Sequence, residues 1–200
     1  MDKPIFILGS TSQWRKELAI KSFNSPVELC PADIDEKAIA SSSHPSTPQE
    51  HCSVIAKAKL DFLLSKIKTP NTIIMCFDTI VFHNEILEKP IDHDDCVRML
   101  NLWGKEGLRT TIYTAVAIGR TEPRTIKTSV ESADVVMTRS LTDTEIETMI
   151  KETDVLKSSG AMICEELQKI QSCEIQGDQS VIEGFPVTKV KELVNEIISL

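Results

Sequence analysis

The stretch Ile73–Lys89 reads IIMCFDTIVFHNEILEK, and the fold class turns on it. Apolar, largely β-branched residues stand on both sides of Asp78. That pattern predicts a strand over Ile73–Phe82 buried on both faces, as in the middle of a helix-covered sheet. Asn84-Glu85 predicts a turn that returns Ile86–Lys89 as a second strand. With a two-residue turn, His83 pairs with Ile86 and Ile80 with Lys89. Side chains alternate along a strand, so Asp78, Ile80 and Lys89 share one face, and Lys89 lies diagonally beside Asp78. A lone carboxylate among apolar residues is costly. The pair is therefore a structural ion bridge or a catalytic acid and base, and the weak stabilisation given by buried bridges favours catalysis.

Working outward, Pro4–Gly9 predicts a first strand. The Ser-x-x-Gln spacing of Ser10–Gln13 predicts a capping box that opens a helix to about Lys21. Ser25–Cys30 predicts a second strand, followed by the acidic PADIDE segment. SSSHPSTPQE reads as a polar loop leading into a helix over Gln49–Ile67. On that helix Val54, Ile55, Ala58, Phe62, Leu63 and Ile67 form an apolar stripe, and Lys59 falls inside it between Ile55 and Leu63. Its ammonium either snorkels or points toward the same place as Asp78. Lys57 belongs to the polar face. Asp92 caps a helix that Gly104 stops after Trp103. Leu108–Gly119 and Thr125–Thr138 predict long strands joined by a TEPR turn, and Thr142–Lys151 a helix. Strand-like pieces at Ile170–Ile175 and Ser180–Ile182 precede a last helix opened by Pro186, with Val187, Val190, Val194 and Ile197 on one face. Irregular alternation of strands and helices predicts an α/β fold with a mixed sheet. At 200 residues this is a single domain, or two small lobes around a shared cleft.

Composition narrows the function. A net charge of -8 argues against a nucleic-acid partner, which needs a basic footprint. A 41% apolar content supports a core and excludes a disordered chain. The opening MDKPIFILGS has an acid at position 2 and too short an apolar run for a signal peptide. No run approaches the ~18 apolar residues of a membrane span. The six cysteines show no C-x-x-C pair and no His-x-Cys spacing, so they read as ordinary thiols. A soluble, cytoplasmic protein without a membrane partner is expected.

Two further segments carry candidate chemistry. In LGSTSQWRK, Gly9 permits a tight turn from strand to helix, and a helix start attracts anions. Ser10 and Ser12 add hydroxyls, while Arg15 and Lys16 add charge. In PADIDE, Asp33, Asp35 and Glu36 cluster hard oxygens of the kind that Mg²⁺ or Mn²⁺ accepts. An anion-binding turn, several cations and carboxylates able to bind a metal or deprotonate water together suit phosphoanhydride hydrolysis. The chain has no Walker A loop, no G-x-G-x-x-G and no G-x-S-x-G elbow.

Four ordered blocks then resemble one family. LGSTSQWRKELA resembles the L-A-S-x-S-P-x-R-R/K-x-L-L opening of the Maf family of nucleoside triphosphate pyrophosphatases, and FDTIVFHNEILEKP resembles its G-A-D-T-x-V-x-x-x-G-x-I-L-x-K-P block. RMLNLWGKEGLRTTIYTAVAI and IQGDQSVIEGFPVTKVKELV resemble its two later blocks, so the likeness runs from about Ile5 to Val194. The resemblance implies a Maf/ITPase-like fold of two lobes around a nucleotide-binding cleft. It also implies a divalent cation, Mg²⁺ or Mn²⁺, and release of pyrophosphate from a nucleoside triphosphate to leave the monophosphate. It is compatible with a homodimer. By position it makes Asp78 the proton acceptor and sets Ser10, Arg15, Lys59 and Lys89 at the phosphates. Glu36 becomes the first metal ligand, beside Asp78. Gln13, Gly9 and Trp103 depart from the motifs, and Ser158 stands where many members have lysine. Trp14 and Glu165 match the branch that hydrolyses 7-methyl-GTP, whereas Thr79 matches the dTTP/UTP branch. Physically, an indole face attracts a cationic methylated guanine, and a carboxylate accepts from its N–H groups. Three readings follow from the resemblance: a house-cleaning 7-methyl-GTP pyrophosphatase, a dTTP/UTP pyrophosphatase, and a nucleotide-binding regulator of cell division with vestigial catalysis, for which Ser158 is the one argument.

Overall fold

The computed structural model describes residues 3–199. Among these are seven strands and eight α-helices: β1 (Ile5–Leu8), α1 (Gln13–Phe23), β2 (Val27–Leu29), α2 (Glu36–Ser43), α3 (Pro48–Lys66), β3 (Thr72–His83), β4 (Glu85–Leu87), α4 (His93–Trp103), β5 (Arg109–Arg120), β6 (Thr125–Met137), α5 (Asp143–Glu152), α6 (Cys164–Lys169), β7 (Cys173–Gln176), α7 (Gln179–Ile182) and α8 (Val187–Ile198). The hydrogen-bonded strand order is β2-β1-β3-β5-β6-β7, with β4 also on β3. β1 pairs in parallel with β2 and β3, while β3–β4 and β6–β7 are antiparallel, so the sheet is mixed, as expected of the α/β class. Among the described residues no helix is long and apolar enough to cross a membrane.

The chain divides into two compact units, and β3, β5 and β6 each contribute residues to both. The first comprises Met1–Asp78, Thr114–Glu131 and Glu183–Leu200. Strand alternation gives it two apolar faces. Phe6 and Leu8 of β1, Ile73, Met75 and Phe77 of β3, and Val116 and Ile118 of β5 pack with residues of α1 and α8. The opposite face carries Ile7, Ile74 and Cys76 with the small residues Ala115, Ala117 and Gly119, all buried. Here α3 packs: a Cβ on Gly119 would lie 3.0 Å from Leu64 and 3.1 Å from Leu60. The second unit comprises Thr79–Tyr113 and Ser132–Ile182. Its core joins Val81, Leu87, Leu100, Trp103, Val135, Met149 and Leu167, with residues from α4, α5 and α6.

Most predicted elements stand within a few residues of expectation, and five readings are corrected. Helix α1 is capped by Ser12, whose hydroxyl accepts the Arg15 N–H at 3.2 Å; Ser10 instead accepts the Ser12 N–H at 3.1 Å. The polar Ser41–Ser43 run closes helix α2, which has no buried residue and therefore no apolar period to reveal it. Ser180–Ile182 is helical, with only Val181 buried. The buried stripe of α3 is Cys52, Ile55, Ala56, Leu60, Leu63 and Leu64, rotated from the predicted one because Val54, Ala58, Phe62 and Ile67 lie at its margin. Finally, the β3–β4 hairpin turns on Asn84 alone, in the left-handed region at φ 61°. His83 pairs with Glu85, Phe82 with Ile86 and Val81 with Leu87. A one-residue slip moves side chains to the other face, and Lys89 lies past the last pair. Strand pairing therefore does not set Lys89 beside Asp78.

Candidate active site

In the first unit the parallel register ends at one level, where Leu8 is level with Leu29 of β2 and Met75 of β3. Beyond that level β1 leads into Gly9–Arg15, β2 leads toward Asp33–Glu36, and β3 continues to Asp78. Ligands of open α/β sheets bind at such carboxyl ends. Backbone bonds knit the level together: Gly9 N–H donates to Met75 at 2.8 Å and Cys30 N–H to Leu8 at 2.9 Å. Glycine is required at position 9 because a Cβ would meet Cys76 Sγ at 2.5 Å and Leu63 Cδ1 at 3.0 Å.

Lys59 lies on the buried stripe of α3 and reaches this level. Its Nζ is 3.1 Å from Asp78 Oδ1, 3.0 Å from Glu36 Oε1 and 3.4 Å from the Phe77 carbonyl oxygen. Asp78 is only 8% exposed. Burial pushes its carboxyl up from the ordinary carboxylate range; the Lys59 charge and hydrogen bond pull it down, Glu36 raises it and Arg15 lowers it. Arg15, one turn into α1, is half-buried, and its guanidinium stands 5.8 Å above the Phe77 ring. Burial pulls Arg15 down while Asp78 and Glu36 hold it up. Phe77 in turn packs against Phe185 with ring centroids 5.0 Å apart. Burial also lifts the Cys52 thiol to about 12, with the Asp78 charge adding to it, and burial alone leads for Cys76, likewise at about 12. At such values both thiols stay protonated at neutral pH.

Glu36 and Asp78 converge on one point, and hard carboxylate oxygens suit Mg²⁺ or Mn²⁺ better than a thiophilic ion. Among the described residues no cluster of three His, Cys, Asp or Glu side chains could hold a metal. The protein could thus offer two ligands, the number typical of Mg²⁺ sites completed by water and substrate phosphates. In the acidic PADIDE segment Glu36 is the residue that reaches Lys59. Asp35 caps α2 by accepting the Ala38 N–H at 2.9 Å.

The structure therefore brings Arg15, Glu36, Lys59 and Asp78 together and sets Ser10 in the turn that precedes them. Trp14 is 49% exposed in the first turn of α1, so it is not a core residue. In the second unit Thr79 follows Asp78 along β3, Lys89 is exposed after β4, and Glu165 is exposed in the first turn of α6. Near Lys89 the backbone is held firmly: Gly160 N–H donates to Glu88 O at 2.8 Å, and the buried Trp103 indole donates to Gly160 O at 2.8 Å. Gly160 has φ 65°, and a Cβ there would strike Val81 at 2.7 Å. Sequence reasoning missed Phe77 and Phe185, because an aromatic in an apolar run carries no signal that a guanidinium lies over it.

Fold and site together define a class: an α/β protein with lysine, arginine and two carboxylates gathered at the ends of parallel strands, an arrangement suited to phosphate chemistry. The chain belongs to the Maf family, described as Maf-like protein, which matches residues 5–197. It is 29% identical over 202 residues to a 7-methyl-GTP pyrophosphatase of Dictyostelium discoideum, covering 96% of both chains. It is 30% identical to a dTTP/UTP pyrophosphatase of Clostridium botulinum, covering 96% of this chain and 98% of the relative. A 7-methyl-GTP pyrophosphatase of Idiomarina loihiensis is 29% identical, over 94% of this chain and 92% of its own. A solved HAM1 protein from Coxiella burnetii aligns over 84% of this chain and 98% of its own, with a TM-score of 0.40 and 11% identity.

Proposed function

We propose that the protein hydrolyses a nucleoside triphosphate to the monophosphate and pyrophosphate. The observation that carries this reading is the convergence of Lys59, Glu36 and Asp78, with Arg15 beside them, in a member of a family whose relatives are named pyrophosphatases. A water oxygen attacks the α-phosphorus, the bond to the α,β-bridging oxygen breaks, and pyrophosphate leaves. The proton of the water goes to Asp78, whose burial raises its basicity. Arg15 and Lys59 bind phosphate oxygens, the Ser10 hydroxyl orients them, and the family resemblance assigns Lys89 to the phosphates as well. A Mg²⁺ or Mn²⁺ held by Glu36 and Asp78 would neutralise charge on the phosphate oxygens. The six cysteines are free thiols, which suits a reducing compartment such as the cytoplasm.

For the base we favour 7-methyl-GTP. Trp14 is 49% exposed in the helical turn that also carries Arg15, and an indole attracts a cationic purine by about 1–2 kcal/mol; Glu165 would pair with the base N–H groups. The dTTP/UTP reading is kept because Thr79 matches that branch and relatives of that name are equally similar. Pyrophosphate release measured with Mg²⁺ or Mn²⁺ across 7-methyl-GTP, GTP, dTTP and UTP tests both levels. Turnover of 7-methyl-GTP well above the others is expected. A pyrimidine preference would overturn the base assignment, and absence of turnover on every nucleotide would overturn the activity.

A further inference from the structure

Three oxygens surround the Lys59 ammonium: Glu36 Oε1 at 3.0 Å, Asp78 Oδ1 at 3.1 Å and the Phe77 carbonyl at 3.4 Å. An ammonium has three donors, so these contacts use its full capacity. The same two carboxylates are the ligands assigned above to a divalent ion. A cation cannot take the point shared by Glu36 Oε1 and Asp78 Oδ1 while Nζ stands there. Without any cation the two carboxylates would repel each other, and Asp78, with a side chain 11% exposed, has little water to screen it.

We infer that Lys59 is the exchangeable resident counter-ion of the metal site: it holds Glu36 and Asp78 together in the free protein and surrenders their oxygens to the divalent ion, turning its ammonium toward the substrate phosphates. The inference rests on the pyrophosphatase reading of this site. Each participant has the properties the exchange needs. The lysine stem is four flexible carbons ending in a compact charge, unlike the rigid fork of arginine. Glu36 stands in the first turn of α2 with 47% of its side chain exposed, so it can adjust as the ion enters. Arg15 acts on both carboxylates and keeps them from being bare during the exchange. The released ammonium then meets phosphate at the moment when charge there must be neutralised.

The exchange has a sign opposite to that of a simple supporting role. If Lys59 merely organised the carboxylates for the metal, its loss would weaken metal binding. If it competes with the metal, its loss strengthens binding. The experiment measures Mn²⁺ affinity of the nucleotide-free protein by electron paramagnetic resonance, for wild type, Lys59→Met and Glu36→Gln. Lys59→Met should bind Mn²⁺ roughly tenfold more tightly and Glu36→Gln roughly tenfold more weakly than wild type. Unchanged or weaker binding by Lys59→Met overturns the proposal. A second measurement uses the unmodified sequence, in case Lys59→Met folds poorly. Acetylation of Lys59, followed by peptide mass spectrometry, should speed up several-fold when Mg²⁺ is added, while that of the solvated Lys57 stays constant. An acetylation rate at Lys59 that ignores Mg²⁺ overturns the exchange as well. Mg²⁺-dependent turnover alongside that negative result would leave the pyrophosphatase reading standing and remove only the exchange.

Discussion

Replacing Asp78 by asparagine separates chemistry from architecture at this site. The Asp78 side chain is 11% exposed, with Oδ1 3.1 Å from Lys59 Nζ. Asparagine keeps its shape and leaves an amide oxygen to accept from the ammonium, which also retains Glu36 at 3.0 Å. Lys59 is not orphaned, so the loss of stability should stay below the roughly 3–5 kcal/mol that removing one partner of a buried pair otherwise costs. Catalysis should not survive so easily, because an amide cannot take the proton of water. Loss of a general base costs roughly 10²–10⁴ in rate, or about 3–5.5 kcal/mol of barrier. The assay is steady-state pyrophosphate release with Mg²⁺, paired with urea unfolding of both proteins. A variant keeping more than about a tenth of wild-type kcat, a barrier change below ~1.4 kcal/mol, would remove Asp78 from the chemistry. Destabilisation by more than about 3 kcal/mol would instead make Asp78 an architectural residue.

Three other outcomes are expected. Trp14→Arg should shift the ratio of kcat/KM for 7-methyl-GTP over UTP roughly tenfold toward UTP, since a guanidinium repels a cationic purine, and Glu165→Gln should move it the same way; ratios unmoved by both changes would sink the base assignment. Gly9→Ala drives a methyl into Cys76 Sγ and should cost about 1–3 kcal/mol. With Cys76→Ala added, the loss should fall short of the sum of the single losses by at least ~1 kcal/mol, and urea midpoints additive to within ~0.5 kcal/mol would disprove the packing argument. Glu145 is held down to about 2 by Arg139, 2.6 Å away, and by the Thr142 cap. Its folded value lies below the unfolded one of 4.5, so its stabilisation is complete above pH 4.5 and fades as pH falls toward 2. The unfolding free energy of wild type should exceed that of Glu145→Gln by about 1 kcal/mol at pH 7, allowing for solvent at this partly exposed pair, and the two should converge near pH 2; a constant gap would mean that the charge contributes nothing.

How far the sequence could be read depended on whether a signal was local. The β3 run, the Asp92 cap, the Gly104 stop and the apolar face of α8 depend on neighbours within a few residues, and each stands where composition set it. Lys59 was legible as far as its stripe: a charge there either snorkels or meets a counter-charge, and it meets two. Helix α2 escaped because it buries nothing, so neither periodicity nor hydrophobicity marks it. The hairpin register escaped because Asn84-Glu85 satisfies the chemistry of a two-residue turn, yet Asn84 alone takes the left-handed conformation. That single residue undid the strand-pairing argument for Lys89 while leaving the one for Asp78 intact, since Asp78 rests on burial and not on register.

The departures from the family motifs find a physical reading once the packing is in view. Glycine at 9, where the motif has alanine, is matched by cysteine at 76, where the motif has glycine; the thiol fills the space that a Cβ at position 9 would take. A volume has moved across the β1–β3 pair, and the level at which the two strands end is kept. Phenylalanine at 77, in place of alanine, adds a ring that carries Arg15 on one side and meets Phe185. Tryptophan at 103 spends its indole N–H on the Gly160 carbonyl, and Gly160 holds Glu88, the residue before Lys89. In each case the substituted side chain touches the backbone or the cation next to a proposed site residue and leaves that residue in place. The departures at positions 9, 76, 77 and 103 thus fall on supports of charged groups, whereas Ser158, where many members have lysine, is a charged group lost.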